Sequence, residues 1–313
     1  MNVFFTTLSQ TAYLLLFIAL GFLLVRGKWI PDGSERVISR LENLVFVPAL
    51  VLGTFMKSFT PETLSRAGGL LLGSFGLGVA AILLALFCTR LLSKDPYEKG
   101  IYAYGLCFSN FGYMGNAVVS ALFPHLFMDY LIFTLPLWAL IYLWGAPVLL
   151  LQDPERRGGL RERLKSFLNP MFACTLLGML IGLTKLPLPS FLSTAVDAAG
   201  ACMSPLGMLL TGMTVARYKM KEILGIGRVY VVSLLRLIVF PGLFLLLLPF
   251  LPTDEVFATC AVASLAMPLG LNTVILPASL GRDTRIGAGQ ALVSHVASCL
   301  TVPLILTLYQ MLL

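Results

Sequence analysis

The feature that most constrains this chain is a succession of apolar runs, each about as long as a bilayer is thick. Residues 13–25, 68–87 and 233–251 carry almost no charge, and about 20 such residues in a helix cross hydrocarbon roughly 30 Å thick. The pattern fills most of the 313 residues, of which 58% are hydrophobic and 12% charged, with mean hydropathy +0.90. A water-soluble domain of this length must show a surface rich in Lys, Glu, Asp and Arg. The sequence therefore reads as an all-α polytopic membrane protein with no room left for a soluble domain. Ten spans are predicted, at 4–25, 37–56, 67–89, 100–123, 127–151, 169–184, 189–216, 229–251, 255–280 and 285–312.

The basic residues alternate with those spans. Of the 22 Lys and Arg, 17 fall in the connections one-two, three-four, five-six, seven-eight and nine-ten. On the opposite side there are three (Lys57, Arg66 and Lys185), while Arg40 and Arg236 lie inside spans. Basic loops stay in the cytoplasm, so a multi-pass protein of the cell (plasma or inner) membrane is expected, with both termini extracytoplasmic. The first 13 residues, MNVFFTTLSQTAY, hold no Lys or Arg; they read as the start of a retained first helix and not as a secretory leader. The net charge of +7 is explained by the loops, and no nucleic-acid partner is implied.

Three matches suggest an internal repeat. Pro48 answers to Pro205 at an offset of 157, and Asn116 to Asn272 and Pro147 to Pro303 at an offset of 156. The chain then divides into a first five-helix repeat at 1–151, a basic cytoplasmic loop at 152–168 and a second repeat at 169–313. An odd number of spans per repeat inverts the second half relative to the first, a secondary-transporter design with its site at the repeat interface.

The fourth and ninth spans are the unusual ones. The fourth sets Gly105, Gly112 and Gly115 beside Asn110 and Asn116, and the ninth has Pro268, Gly270 and Asn272 at its middle. Proline deletes a backbone donor and glycine permits unwinding. Matched interruptions in both halves point to a transporter's binding site, and each should expose a half-helix N-terminus suited to a carboxylate. Ordinary helix kinks are the plainer alternative. Asn110, Asn116 and Asn272 could bind an ion or join helices by hydrogen bonds; the same choice holds for Asn43 near Pro48 and Ser204 beside Pro205. Arg236 could draw anions or pair with a carboxylate, or else pair with carbonyls or snorkel to the interface. Asp197 is the only acidic residue placed well inside a span, a candidate proton or cation site, and His295 in span ten could titrate near neutral pH.

The remaining chemistry is negative. Six cysteines lie in apolar segments without a C-x-x-C pair and read as packing residues. Neither histidine has an acidic or Cys cluster nearby in the sequence, so no metal site and no cofactor are expected. No Walker loop, H-E-x-x-H or G-x-S-x-G occurs, which disfavours an ATP-driven pump or a membrane hydrolase.

Several segments resemble the auxin efflux carrier family, which includes plant PIN-type carriers and bacterial relatives linked to malate, malonate and similar acids. They are Pro48-Ala49-Leu50, F-S-N-F-G-Y-M-G at 108–115, Asn169-Pro170, Pro205-Leu206 through Gly212, Arg236-Leu237 with Pro241, Met267-Pro268, and Gly281 with Asp283. Their order and spacing over the whole length carry the likeness, more than any one motif. The resemblance implies a fold like that of the bile-acid sodium symporters, with spans four and nine crossing at their breaks and an organic anion bound there beside spans two and seven. The chain departs from the pattern at Gly115-Asn116-Ala117, where many relatives carry a proline two residues after the glycine, so the first break is expected to rest on glycines. A secondary or potential-driven carrier of small organic anions, working by alternating access, is the expected function. Sodium- or proton-coupled symport of an organic acid is the alternative, and a non-transporting membrane sensor the alternative of another class. Coupling by Na+ or H+ and assembly as a homodimer stay open.

Overall fold

The computed structural model describes residues 3–151 and 170–312. The predicted basic loop at 152–168 and Asn169 of the Asn-Pro pair lie outside the described residues. Among the described residues all regular structure is helical, apart from one isolated β-bridge between Ser109 and Leu269.

In chain order the main helices are α1 Val3–Arg26, α2 Ser34–Ser58, α3 Gly68–Leu92 and α4 Pro96–Cys107. Next come α5 Asn116–Leu122, α6 Pro124–Leu151, α7 Pro170–Thr184 and α8 Ser190–Ala216. The last four are α9 Gly227–Phe250, α10 Glu255–Ala266, α11 Asn272–Ser279 and α12 Arg285–Leu312. Seven helices are long and apolar enough to cross a membrane, and two further apolar helices, Ala173–Thr184 and Glu255–Ala266, are shorter. The predicted spans four and nine are each divided in two, as α4 with α5 and α10 with α11. Most predicted boundaries fall within a few residues of the observed ones.

Local sequence explains the irregular turns. Proline lacks an N–H and its ring clashes with the carbonyl four residues earlier. Wide π turns accordingly fall just before Pro48, at Glu42–Phe46, and just before Pro241, at Leu235–Val239. A third, Ile141–Leu151, encloses Pro147. Both divided spans start on an aspartate cap: Asp95 accepts from the Glu98 N–H at 2.8 Å, and Asp254 from the Phe257 N–H at 2.7 Å, satisfying donors that a helix start leaves unpaired.

The helices pack as two bundles. One holds α1, α2, α7 and α8 and the other holds α3 to α6 with α9 to α12, and the two meet most extensively where α1 and α8 pack against α12. Lipid tails are as apolar as leucine, so close backbone approach at small residues drives such packing. In the first bundle Gly21 of α1 leaves no room for a Cβ against the Leu209 carbonyl, and Gly212 of α8 none against that of Ile18. A Cβ at Gly178 of α7 would sit 2.8 Å from that of Phe55, and one at Gly200 of α8 would sit 3.0 Å from the Leu50 backbone.

Candidate functional site

The two interruptions pair with each other. The Asn110 N–H donates to the Pro268 carbonyl at 2.7 Å, and the Gly270 N–H to that of Phe108 at 3.0 Å. The Ser109 hydroxyl donates to the Ser264 carbonyl at 2.7 Å, while Ser294 Oγ accepts from the Leu269 N–H at 3.3 Å. Unwound backbone at membrane depth persists only where such partners exist. A Cβ at Gly270 would lie 2.9 Å from the Phe108 oxygen, so this position needs glycine for the close approach.

The second break follows the expectation at Met267-Pro268, but the first does not fall on glycines. Extended backbone occurs at Phe108 (φ −122°, ψ 117°) and Asn110 leaves the helical region (φ −80°, ψ 43°), whereas Gly115 is helical (φ −62°, ψ −41°). Gly112 and Gly115 lie in a π turn, Phe111–Gly115, and serve packing: a Cβ at Gly112 would overlap Trp138, and one at Gly115 would overlap the Tyr130 hydroxyl. Gly105 lies against Leu269 and Gln290.

Arg236 is buried behind the crossing. Its guanidinium donates from Nη1 to Leu106 O at 3.2 Å, from Nη2 to Ser264 O at 3.3 Å and from Nε to Met267 O at 3.4 Å. Those carbonyls end α4 and α10, where each helix carries about half a negative charge. One cation thus balances two helix C-termini, and of the alternatives open for Arg236 the carbonyl pairing is the one realised.

Asn110 organises the front. Its Oδ1 accepts from the Tyr113 N–H at 3.2 Å, capping the π turn, and its Nδ2 lies 2.7 Å from His295 Nε2. His295 Nδ1 is 2.8 Å from the Ala291 carbonyl, which can only accept. The proton is therefore assigned to Nδ1, leaving Nε2 to accept from Asn110 in a neutral ring. Asn272 donates to the Tyr104 hydroxyl at 2.7 Å and its Oδ1 has no partner. The N–H groups of Phe111, Gly112, Leu271 and Asn272 belong to first turns, which the intrahelical pattern leaves without acceptors. A cavity of about 20 Å³ lies there, lined by Asn110, Gly112, Tyr113, Trp138, Gly270 and Asn272. That holds roughly one water, so the site is closed to an organic acid in this conformation.

The other expected residues distribute around this centre. Ser204 of α8 donates to the Tyr113 carbonyl at 2.9 Å, and Asn43 of α2 to Ser279 Oγ at 3.4 Å; both reach from the first bundle to the second. Asn116 lies one position past the π turn with a buried Oδ1 lacking a partner. Asp197 lies apart from this centre. It is half exposed and ion-paired to Lys57 at 2.5 Å, seven residues or about 10 Å along α8 from Ser204. Among the described residues two carboxylates are buried, Glu35, which is ion-paired to Arg217, and Glu42, which has neither oxygen hydrogen-bonded. Glu42 lies near the start of the predicted span 37–56 and has no sequence signal of its own; α2 begins earlier, at Ser34, which places it further along the helix. Tyr104, Tyr113, Tyr142 and Gln290 also line the region without having been singled out, because Tyr and Gln in an apolar run give no distinct signal.

Paired broken helices with a buried arginine behind and an asparagine on each break are the arrangement expected of a membrane carrier. A profile of the family described as membrane transport protein matches residues 6–306. The chain belongs to that family, the auxin efflux carrier or PIN-like family, and is a multi-pass membrane transporter. A search of curated proteins returned no match.

Proposed function

We propose that the protein is a secondary carrier of small organic anions, in the first instance carboxylates, that binds them between the half-helix N-termini at Asn110–Gly115 and Gly270–Asn272. One electrostatic asymmetry carries this reading. Arg236 neutralises the two C-terminal helix ends, whereas no anionic side chain among the described residues bonds to the two N-terminal ends. A monocarboxylate would supply that charge and accept from first-turn N–H groups. The cycle is alternating access through ten spans arranged as two inverted five-helix repeats, 1–151 and 169–313, in the cell membrane with both termini outside.

An inside-negative potential of about 100 mV gives roughly 2.3 kcal/mol per exported monovalent anion, or an approximately 50-fold gradient, so efflux is feasible. Sodium symport through unwound carbonyls has less support, since those of Phe108, Met267 and Pro268 are engaged by protein donors.

The test is a thermal-shift screen of organic acids on purified protein, with and without Na+, followed by flux into liposomes. A stabilising acid is expected, with affinity reduced about ten-fold or more in Asn110→Ala, as for loss of a charge-assisted hydrogen bond. Failure of every carboxylate to bind, or to move under any imposed potential or concentration gradient, overturns the proposal.

A further inference from the structure

Glu42 is a buried carboxylic acid that the helix-break site does not use. It is 0% exposed, and neither Oε1 nor Oε2 has a hydrogen-bond partner. An ionised carboxylate in that position, without a cation or donor, is prohibitively unstable, and such a group takes up a proton instead.

Its surroundings reinforce this. The π turn Glu42–Phe46 packs against α7, α8 and α11. The titratable residue of α7 is Cys174, those of α8 are Cys202 and Asp197, the latter committed to Lys57 at the far end, and α11 has none. On α2 itself Glu35 is paired to Arg217, and Arg36 and Arg40 are exposed. The groups in electrostatic range of Glu42 are the phenols of Tyr113 and Tyr142, whose hydroxyls also have no partner. Tyr142 in turn faces Asn272, outside hydrogen-bond geometry.

The position matters more than the burial. Glu42 belongs to the α1–α2–α7–α8 bundle, while Tyr113, Tyr142 and α11 belong to the other. The carboxyl is thus enclosed by the seam between bundles, beside the π turn and the α11 start where the anion is placed. Any sliding of one bundle along the other changes what Glu42 faces.

We propose that Glu42 is the proton-binding site of this carrier, holding a proton while the seam is closed and exchanging it with water when the seam opens. On opening, the carboxyl O–H breaks, its electron pair stays on Glu42 and the proton passes to water; the reverse reloads it. The inference rests on the carrier reading above and changes its energetics: a proton carried with a monovalent anion makes the cycle electroneutral, so the proton and anion gradients set its direction in place of the potential. An ionised Glu42 repels an anion at the breaks and a neutral one does not, so proton and anion bind cooperatively, each raising the other's affinity by the same factor.

Two readouts on full-length protein in liposomes test this. Infrared difference spectra across a pH titration are expected to show a protonated-carboxyl C=O band that is lost in Glu42→Gln, a variant that copies the shape of the neutral acid and is checked for monodisperse elution. Malonate is the transport probe. In the wild type its affinity is expected to fall about ten-fold or more from acid to alkaline buffer, and an imposed proton gradient is expected to drive its uptake. Glu42→Gln is expected to bind it with little pH dependence and to exchange it without response to the gradient. Identical infrared bands, or an unchanged pH dependence of malonate affinity in Glu42→Gln, overturns the proposal. If wild-type protein moves neither malonate nor any other carboxylate, the carrier reading fails, and the infrared comparison alone decides whether Glu42 holds a proton.

Discussion

Arg236 shows how one residue fixes the crossing of two broken helices. A lone guanidinium in a membrane protein is costly, yet it meets three carbonyls at two helix C-termini and lies 5.9 Å from the Phe240 ring centroid. Replacing it by methionine keeps much of the volume and leaves those carbonyls without that donor. The Ser264 carbonyl keeps the Ser109 hydroxyl as a donor, so two carbonyls are orphaned at about 1–3 kcal/mol each, and Arg236→Met is expected to lose roughly 2 kcal/mol or more, read as a lower thermal midpoint in detergent. Arg236→Lys keeps the charge but not the planar fork that spans three acceptors, and is expected to fall between the two. A methionine variant as stable as the wild type would show that the carbonyls need no cation.

At the scale of the element, a break needs both freed backbone and a shape that lets another helix close on it. The glycines of the first half supply the shape. Gly112→Ala forces a methyl into Trp138 and is expected to cost about 1–3 kcal/mol as overpacking. Gly76→Ala, on α3 with nothing within 4 Å of its Cβ position, is expected to be neutral or to gain up to about 1 kcal/mol from helix propensity. The pair, compared by thermal unfolding, separates a packing glycine from an incidental one; equal effects would contradict the assignment. The same distinction explains what could be read from the sequence. Pro268 and Gly270 mark the second break because a proline that removes a donor stands two residues from a glycine; proline alone is no such mark, since Pro205 and Pro303 lie within continuous helices. The first break lies at Phe108–Asn110, residues whose extended backbone comes from pairing with 268–270 and has no local signature. The nearby glycines drew attention for flexibility they do not use. The apolar runs set the helices correctly, yet the same averaging hid Glu42, one carboxylate in a hydrophobic window, and made Asp197 stand out although Lys57 neutralises it.

For the whole molecule, the arrangement into two bundles decides which contacts can last through a transport cycle. The pairs Lys57–Asp197 and Lys185–Glu62 tie together parts of, or connections next to, the α1–α2–α7–α8 bundle. The link from Asn43 of α2 to Ser279 of α11, at 3.4 Å, instead spans the seam. If anions move by displacement of one bundle against the other, the first kind of contact stays and the second must break. Cysteines at Asn43 and Ser279 are expected to cross-link on oxidation and reduce carboxylate flux to background, with recovery of the residual rate on reduction. Cysteines at Glu62 and Lys185, whose long side chains meet only at their tips, are joined instead by a bifunctional thiol reagent with a reducible spacer and are expected to leave flux within about two-fold of its reduced value, since a cross-link adds constraint only where the joined elements would part. Reversibility by reductant separates the lock from any damage done by replacing Asn43. Full flux with the Asn43–Ser279 bridge closed would mean that the seam does not slide. The transport step would then be confined to local rearrangement of the two breaks, where the cavity of about 20 Å³ would have to widen many-fold within a single bundle to admit an organic acid.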